Sequence, residues 1–472
     1  MNRRNFIASM LAATALPNLP RLSLARAAEG QFELRATVAP HHIVSRNYAA
    51  SDLWLYNGET PGPMIRVKQG ERVRVRFINE LPEPTSIHWH GIRIENDMDG
   101  VSGLTQPPVQ PGASFDYDFT VPDAGTFWYH AHNKSWRHVA RGLYGPLIVD
   151  EPVPSFAQDR DLTLVLDDWR LAQDGALHEA SLGAFMDWSH AGRLGNWMTV
   201  NGRSSPRFDL STGKAYRIRL INAANARIFQ IDPSAIGAKL VGLDGFVFDA
   251  PRSTDGPIPL APGQRMDLLL QKADGGKVKL TDVGDFALQQ VSGEEPLPLS
   301  TFGFTGPPTT LEAAPALSPN TIAEPDLINA VRVPLIMSGG AMGRMGEVTY
   351  NGEPLSRDAM MRHQQMWAFN GTANMTTEPM FSLQPGRTVV IETVNQTGWP
   401  HAMHVHGHHF RVLSRNGLPV EHQDWRDTFY INRDETVEIA FVADNPGKWM
   451  LHCHMLEHAA AGMRNWFEVS ES

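Results

Sequence analysis

The chain has very little cysteine, since Cys453 is the only one in 472 residues. A single thiol cannot form an internal disulfide. Structural zinc sites use several cysteines, commonly in Cys-x-x-Cys pairs, and the sequence has no such pair. A disulfide framework and a structural zinc framework are therefore both excluded.

Long apolar runs and an excess of positive charge are also missing. Beyond the N-terminus, no stretch approaches the roughly 18 apolar residues of a membrane-spanning helix. The 41 Lys and Arg are outnumbered by 51 Asp and Glu, which gives a formal net charge of −10. This acidity disfavours nucleic acid and anionic membrane surfaces as partners.

The N-terminus has the features of an export signal. The pair Arg3-Arg4 is followed by a mildly apolar stretch and by an Ala-Arg-Ala sequence that ends at Ala27. This pattern predicts a twin-arginine signal peptide over residues 1–27, which the twin-arginine export machinery would recognise. Such signals export folded proteins, so we expect a periplasmic location. Removal of residues 1–27 takes away four Arg and no acid, which changes the formal charge from −10 to −14.

Histidine, in contrast, is abundant and regularly placed. Random placement of 19 His in 472 residues would give roughly one His-x-His pair, and four pairs that share no residue are present. The pairs are His88/His90, His130/His132, His404/His406 and His452/His454. Residues i and i+2 of a strand point to the same face, so each pair can present two imidazoles to one metal cluster.

The single cysteine lies inside the last of these pairs. Cys453 separates His452 from His454, and His458 and Met463 follow it at intervals of five residues. One thiolate, one imidazole and one weak thioether, completed by a distant His, make the trigonal site that tunes copper for electron transfer. Cys453 points to the opposite face of its strand from both neighbours, so a copper on the thiolate would have a short bonded route to the cluster. The alternative is an inert core cysteine beside a chance histidine.

The histidine pairs recur at equivalent positions of an internal repeat. A glycine, an asparagine and the first histidine follow one another at nine-residue intervals in two places, namely Gly70, Asn79, His88 and Gly386, Asn395, His404. The middle of the chain keeps Gly213 and Asn222 but has Ile231 at the histidine position. The sequence therefore predicts three copies of one β-domain, of which the middle copy has no metal ligands.

The predicted fold class is all-β. Alternating runs such as RVRVRF, 40 Gly, 34 Pro and few helix-period stretches favour β-sandwiches. We place the three domains at residues 30–152, 157–305 and 332–472. Residues 306–331 are rich in proline and show little periodicity, so we predict a linker there.

The motifs HWHG, WYHAH, HAMHVHG and HCHMLEHAAAGM resemble those of three-domain multicopper oxidases of the bacterial laccase and cuprous-oxidase group. The resemblance covers essentially the whole mature chain and implies three cupredoxin-like Greek-key β-sandwich domains. It also implies an oxidase that removes single electrons from a reductant at a type 1 copper and reduces O₂ to water with four electrons at a trinuclear cluster. The cofactors would be four copper ions, and the partners O₂ and a small reductant.

The resemblance assigns ligands to each copper by position. The type 1 copper receives His401, Cys453 and His458, with Met463 as the axial ligand. The type 2 copper receives His88 and His404. The two type 3 coppers receive three histidines each, namely His90, His130 and His454 for one and His132, His406 and His452 for the other.

Reduction of O₂ also consumes protons, and Asp99 matches the position at which relatives place a carboxylate near the cluster. Acting through water, it would be a general acid or base; the alternative is a turn residue before Gly100. After the type 1 histidine many bacterial relatives have Glu, whereas this sequence has Ala459. Glu457 precedes His458 and is expected to face another way, so the second proton donor stays unassigned.

Methionine is concentrated in residues 337–380, which hold eight of the 19. Thioethers are soft ligands suited to Cu(I), so Met342, Met345, Met360 and Met361 are candidates for a substrate Cu(I) site. The alternative is that flexible methionines pack an irregular surface. The substrate is then either Cu(I), with a role in copper tolerance, or a phenol or other small organic reductant. A copper storage or carrier protein is the non-enzyme alternative.

Overall fold

The computed structural model describes residues 22–25, 31–284 and 298–470. Apart from 22–25, the predicted signal peptide lies outside these residues, so it stays a prediction. None of the helices in the described ranges is both long and apolar enough to cross a membrane.

The N-terminal region forms two four-stranded sheets. Its strands are β1 (Phe32–His41), β2 (Ser51–Tyr56), β3 (Ile65–Lys68), β4 (Arg72–Asn79), β5 (Ile87–His90), β6 (Ser114–Thr120), β7 (Gly125–Ala131) and β8 (Tyr144–Asp150). One sheet has the order β2-β1-β4-β6 and the other β3-β8-β7-β5. Strand β4 buries Val73, Val75 and Phe77 and exposes the arginines between them, as its alternating sequence predicts.

The middle region is built around a six-stranded sheet of order β10-β9-β12-β17-β14-β15. Its strands are β9 (Asp161–Trp169), β10 (Trp197–Val200), β11 (Arg207–Ser211), β12 (Tyr216–Asn222), β13 (Phe229–Ile231), β14 (Lys239–Leu243), β15 (Phe246–Arg252), β16 (Ile258–Leu260), β17 (Arg265–Leu270), β18 (Gly276–Thr281) and β19 (Pro298–Thr305). Smaller sheets have the orders β11-β19-β18 and β13-β16.

The C-terminal region contains a seven-stranded sheet, with the path β23-β20-β25-β31-β27-β28 and β29 beside β27, and a five-stranded sheet, β24-β33-β32-β26-β30. Its strands are β20 (Val331–Gly339), β21 (Thr349–Tyr350), β22 (Glu353–Pro354), β23 (Trp367–Phe369), β24 (Ser382–Leu383), β25 (Arg387–Asn395), β26 (His401–Val405), β27 (Phe410–Arg415), β28 (Leu418–Pro419), β29 (Trp425–Arg426), β30 (Thr428–Ile431), β31 (Thr436–Ala443), β32 (Gly447–Cys453) and β33 (Arg464–Val469). Strands β21 and β22 form a separate two-stranded sheet.

The helices in the described residues are short and lie between strands. The α-helices are α1 (Ser135–His138), α2 (Phe185–Ser189), α3 (Arg357–His363) and α4 (Leu456–Ala460). The 3₁₀ helices are Asn96–Met98, Val139–Arg141, Gln158–Arg160, Glu179–Ser181 and Ser234–Ile236. The mostly β structure with sandwich-like sheets confirms the predicted fold class.

The repeated asparagine has the same structural role in each region. Asn79, Asn222 and Asn395 are buried at the ends of β4, β12 and β25. Each side-chain amide donates to the carbonyl four or five residues ahead and to a carbonyl of a second loop, while its Oδ1 accepts the N–H two residues ahead. These bonds fix the loop that enters β5, β13 or β26. The nine residues from this buried anchor to His88, Ile231 or His404 therefore span the anchored loop and end within the next strand.

Residues 306–330 contain neither helix nor strand. Asn320 in this segment donates to the Ala124 carbonyl at 2.7 Å and accepts from the Ala124 N–H at 3.0 Å. The segment thus runs along the N-terminal region, as a linker that passes from the middle to the C-terminal region would. The domain bounds proposed from the sequence stay predictions.

Candidate metal centres

Three side chains from separate elements converge around the single thiol. Cys453 ends β32, His401 begins β26 and His458 lies in α4. The Cys453 Sγ lies 3.6 Å from His401 Nδ1 and 3.8 Å from His458 Nδ1, and the two nitrogens are 3.1 Å apart. All three side chains are fully buried. One sulfur and two imidazole nitrogens therefore face a common point.

The outer nitrogen of each imidazole is already hydrogen-bonded. His458 Nε2 donates to the His190 carbonyl at 2.6 Å, and His401 Nε2 lies 2.8 Å from the Thr397 hydroxyl. Such bonds fix ring orientation and tautomer, which leaves both Nδ1 atoms available as ligands. Neither partner could be found from the sequence, because Thr397 is an ordinary loop residue and His190 acts through its backbone.

Met463 is fixed beside this site by its main chain. Its N–H donates to the His458 carbonyl and its carbonyl accepts the Cys453 N–H, both at 3.0 Å. The side chain is fully buried. Its role as the axial ligand stays a prediction.

The chemistry of these donors fits a metal ion. Burial raises the pKa of the Cys453 thiol to about 12 and lowers the pKa of His458 to about 4. Burial and, secondarily, His458 lower the pKa of His401 well below its usual range. The imidazoles are thus neutral, and a thiolate in this buried place needs a bound cation to compensate its charge. A soft thiolate with two imidazoles suits copper.

Eight histidines form a second centre where the N-terminal and C-terminal sheets face each other. His88 is paired with His130 across β5 and β7, and His404 with His452 across β26 and β32. The equivalent positions of the internal repeat therefore place both sets on neighbouring strands of a sheet. Because of the i, i+2 spacing, the second histidine of each His-x-His pair points to the same face as the first.

The two sets meet ring to ring. The centroids of His90 and His404 are 3.8 Å apart, and those of His88 and His406 are 3.9 Å apart. Four groups of three side chains lie close enough together to hold an ion each, and one of these groups includes a carboxylate. The groups are His90/His130/His454, His132/His406/His452, His88/His90/His404 and His88/Asp99/His406. The first two groups coincide with the predicted type 3 sets. The predicted type 2 histidines, His88 and His404, are both members of the third group, and His88 is also a member of the fourth.

Several ring nitrogens in this centre are buried and unpaired by any group in the described part of the chain, namely His88 Nε2, His404 Nε2, His90 Nδ1 and His454 Nδ1. His88 and His404 each use the other nitrogen, Nδ1, on a carbonyl: that of Asp99 at 2.9 Å and that of Asp427 at 2.8 Å. A buried nitrogen without a partner is costly, whereas a metal ion would satisfy it. The residues therefore fit metal binding.

Burial, with further contributions from neighbouring histidines, lowers the pKa of most of these imidazoles. The pKa values of His90, His130, His132, His404, His406 and His454 lie well below the usual range. That of His452 is lowered to about 4. Neutral imidazole is the form that binds metals, so the centre is ready for ions without loss of protons.

Comparison with known proteins identifies the family. Residues 37–153 and 352–472 each match a sequence family described as multicopper oxidase. The crystal structure of a multicopper oxidase from Pseudomonas thermotolerans is 33% identical, covers 93% of this chain and 99% of its own, and superposes with a TM-score of 0.78. The chain belongs to the multicopper oxidases. Copper is its cofactor, and its sheets form the cupredoxin-domain fold of that family.

Two other solved structures cover nearly the whole of this multicopper oxidase. One is the enzyme from Campylobacter jejuni, described as a metallo-oxidase, which is 26% identical over 97% of this chain and 95% of its own with a TM-score of 0.79. The other is a laccase-like enzyme from Ochrobactrum with oxidase activity towards lignin model compounds. It is 25% identical over 96% of this chain and 100% of its own, also with a TM-score of 0.79.

The carboxylate of Asp99 touches the cluster histidines of this multicopper oxidase. Its Oδ2 lies 3.0 Å from His406 Nδ1, and its Oδ1 lies 3.2 Å from His88 Nδ1. The residue is fully buried and also follows the 3₁₀ helix Asn96–Met98. The turn position and the position beside the cluster are thus both observed. Its role as a proton donor stays a prediction.

A second carboxylate, missed by the sequence analysis, lies on the other side of the cluster. Asp427 Oδ1 is 3.3 Å from His90 Nε2 and 3.7 Å from His404 Nδ1. Asp427 is fully buried. No spacing marks it in the sequence, because its position depends on contacts among all three regions.

Ala459 lines a cavity of about 240 Å³ that reaches His132 and His452. Glu457, as expected, faces elsewhere: its Oε1 accepts from Asn225 Nδ2 at 2.7 Å and its Oε2 from the Arg193 N–H at 3.2 Å. Burial raises the pKa of Glu457 to about 7. Glu457 therefore does not take the place of the missing glutamate at the cavity.

The four candidate Cu(I)-binding methionines have different surroundings. Met345 packs beside Val348 in a small apolar cluster, and Met360 packs against the main core. Met342 and Met361 are 79% and 52% exposed. Met345 and Met360 are half-buried by this packing, whereas the side chains of Met342 and Met361 are largely exposed to solvent.

Proposed function

We propose that this multicopper oxidase oxidises a small organic reductant, such as a phenol, one electron at a time at a type 1 copper held by His401, Cys453, His458 and Met463. The electrons pass to O₂ at a cluster held by the eight histidines in their predicted sets. The observation that carries the substrate class is an apolar cavity beside the thiol site.

This cavity, of about 220 Å³, lies between the middle and C-terminal regions. Its walls include Pro400, which precedes His401, and Met455, two residues after Cys453. The remaining walls are mostly apolar, namely Ala191, Leu194, Ala226, Ile228, Gly398 and Trp399. Arg227, the one charged residue in the lining, is paired with Asp168 at 2.9 Å. Such a cavity suits an uncharged aromatic ring better than a metal ion.

Copper supplies the one-electron chemistry at the thiol site and the reduction of O₂ at the cluster when it is bound. Cys453 connects the two, because its covalent neighbours are His452 and His454. A second route runs through the hydrogen bond from His452 Nδ1 to the Cys453 carbonyl, at 2.8 Å. Asp99 supplies protons to the cluster. Its contacts with the rings of His406 and His88 support this role.

Cu(I) is the second candidate substrate. Met342 and Met361 are exposed thioethers, and the relative from Campylobacter jejuni is described as a metallo-oxidase. Family membership makes the protein an oxidase, which disfavours the storage or carrier alternative. For the location, we propose the periplasm on the strength of the twin-arginine pattern at the N-terminus.

Filling the apolar cavity tests the substrate class. Ile228, half-buried in its wall, can be replaced by Trp. We expect kcat/KM for a methoxyphenol to fall by about tenfold, because the larger ring excludes the substrate. Oxidation of Cu(I) and Fe(II), measured side by side, should change by less than about twofold, since ions of that size do not need the cavity.

Two controls accompany this variant. Ile258→Trp places the same ring on another half-buried isoleucine of the middle region and should leave all three substrates unaffected. Met342→Leu with Met361→Leu should leave phenol oxidation unchanged. If Ile228→Trp oxidised the phenol as fast as the parent protein while the methionine variant lost Cu(I) oxidation, Cu(I) would replace the organic reductant as the substrate.

A further inference from the structure

Arg265 connects the middle region, which supplies no metal ligand, to the histidine cluster. It begins β17 and is fully buried. Its Nη1 donates to Asp427 Oδ1 at 2.8 Å, and its Nη2 donates to Asp427 Oδ2. Its remaining donors reach the carbonyls of Thr126 at 2.9 Å and Gly263 at 3.0 Å. The guanidinium thus joins residues of all three regions in a fixed geometry.

Asp427 in turn touches two proposed ligands. Besides its contacts with His90 and His404, it accepts from the Thr428 hydroxyl at 2.8 Å through the same Oδ1. The hydroxyl also lies 3.2 Å from His90 Nε2. The carboxylate is therefore held on one side by Arg265 and points on the other side at the His90 ring.

This arrangement gives His90 an orientation opposite to that of five other cluster histidines. The outward nitrogen of His88, His130, His404, His406 and His452 is Nδ1, which bonds to a carbonyl or to Asp99. In His90 the outward nitrogen is Nε2, and the unpaired nitrogen is Nδ1. With Nε2 donating to Asp427, His90 would have Nδ1 available to hold a metal ion.

The fit around this pair is tight. A Cβ at Gly91, the residue after His90, would lie 2.4 Å from Arg265 Nη2 and 2.5 Å from Asp427 Oδ2. Gly91 also has a φ of +87°, which disfavours other residues. The backbone beside the ligand can thus approach the ion pair only because position 91 has no side chain.

We propose that Arg265 is a positioning residue for the cluster, acting through Asp427 on His90. This inference rests on the ligand role proposed for His90. Without the guanidinium, Asp427 would be a buried carboxylate that has lost the two-pronged contact holding its orientation. His90 would then lose its fixed acceptor, and the copper site that it shares with His130 and His454 would weaken. The middle region is thus part of the metal centre and more than a spacer.

The test compares Arg265→Met and Arg265→Lys with Arg217→Met in the copper-loaded protein. Arg217 is an equally buried arginine, paired with Glu151 at 2.7 Å and Asp267 at 2.6 Å. Its ion pairs in the described part of the chain include neither a cluster histidine nor Asp427. The readouts are copper per protein, the near-ultraviolet absorption of the type 3 pair, the visible absorption of the type 1 site and Tm.

For Arg265→Met we expect the type 1 colour to remain. The chelator concentration that removes half of the cluster copper should fall by about 10- to 100-fold, and the type 3 absorption should weaken. Arg265→Lys should lie between this variant and the parent protein. Arg217→Met should lower Tm without changing cluster copper or its spectrum.

Unchanged cluster copper and type 3 absorption in Arg265→Met would overturn the proposal and leave Arg265 a purely structural residue. If that variant fails to fold, Arg265→Lys decides by the same measurements, since it keeps the charge but loses the two-pronged contact. Absence of cluster copper in the parent protein would instead refute the proposed function, so the two failures are distinguishable.

Discussion

Replacement of Cys453 by Ser is expected to give a folded protein that has lost its blue colour and its oxidase activity. Serine is close to cysteine in size, so the fully buried site should keep its packing. Its hydroxyl cannot supply a thiolate, and the intense visible absorption of type 1 sites comes from the copper–thiolate bond. Visible absorption, circular dichroism and O₂ consumption measure the three properties.

Copper analysis provides the control for this variant. The protein should lose only the type 1 copper and keep the type 3 absorption, because the eight histidines are untouched. Persistence of the blue band in Cys453→Ser would refute the type 1 assignment. Loss of all copper would show that the thiol is needed for assembly of both centres, contrary to the separation proposed above.

Asp99→Asn should slow reoxidation of the reduced enzyme by O₂ by about 10²- to 10⁴-fold, the usual range for loss of a general acid. The asparagine oxygen can still accept from His406 Nδ1, so the ligand keeps its orientation while proton delivery stops. Reduction of the type 1 copper should be unaffected, because the route through Cys453 does not include Asp99. Stopped-flow absorption separates the two rates.

Glu457→Gln is the matched control for Asp99→Asn. Glu457 is another buried carboxylate, one residue before His458, but its contacts are Asn225 and the Arg193 backbone. Its reoxidation rate should equal that of the parent enzyme. A normal rate in Asp99→Asn as well would leave Asp99 with only its turn position and its contacts with the ligand rings.

Much of both centres could be predicted because local geometry places their ligands. An i, i+2 pair on a strand faces one side, and the buried asparagine at the end of the preceding strand anchors the loop that leads into that strand. These two features set the positions of His88 and His404 in their separate regions. The cysteine between two histidines likewise links the centres through the backbone alone.

Other residues could not be found because they reach the site through tertiary contacts. Asp427, Arg265 and Thr397 belong to no repeat or spacing, and His190 contributes only a carbonyl. The four candidate methionines are a different case, because the sequence groups them more closely than the structure does. Their proximity in the chain suggests one site, whereas side-chain packing separates the half-buried Met345 and Met360 from the exposed Met342 and Met361.

The most direct test of the account is the number of reductant electrons consumed per O₂ by the copper-loaded protein. Simultaneous measurement of O₂ uptake, oxidised phenol and hydrogen peroxide gives this ratio. If the type 1 site passes its electrons to the cluster, we expect four electrons to be consumed per O₂ and no peroxide to be released. A ratio of two with stoichiometric peroxide, or bound copper without O₂ consumption, would contradict it.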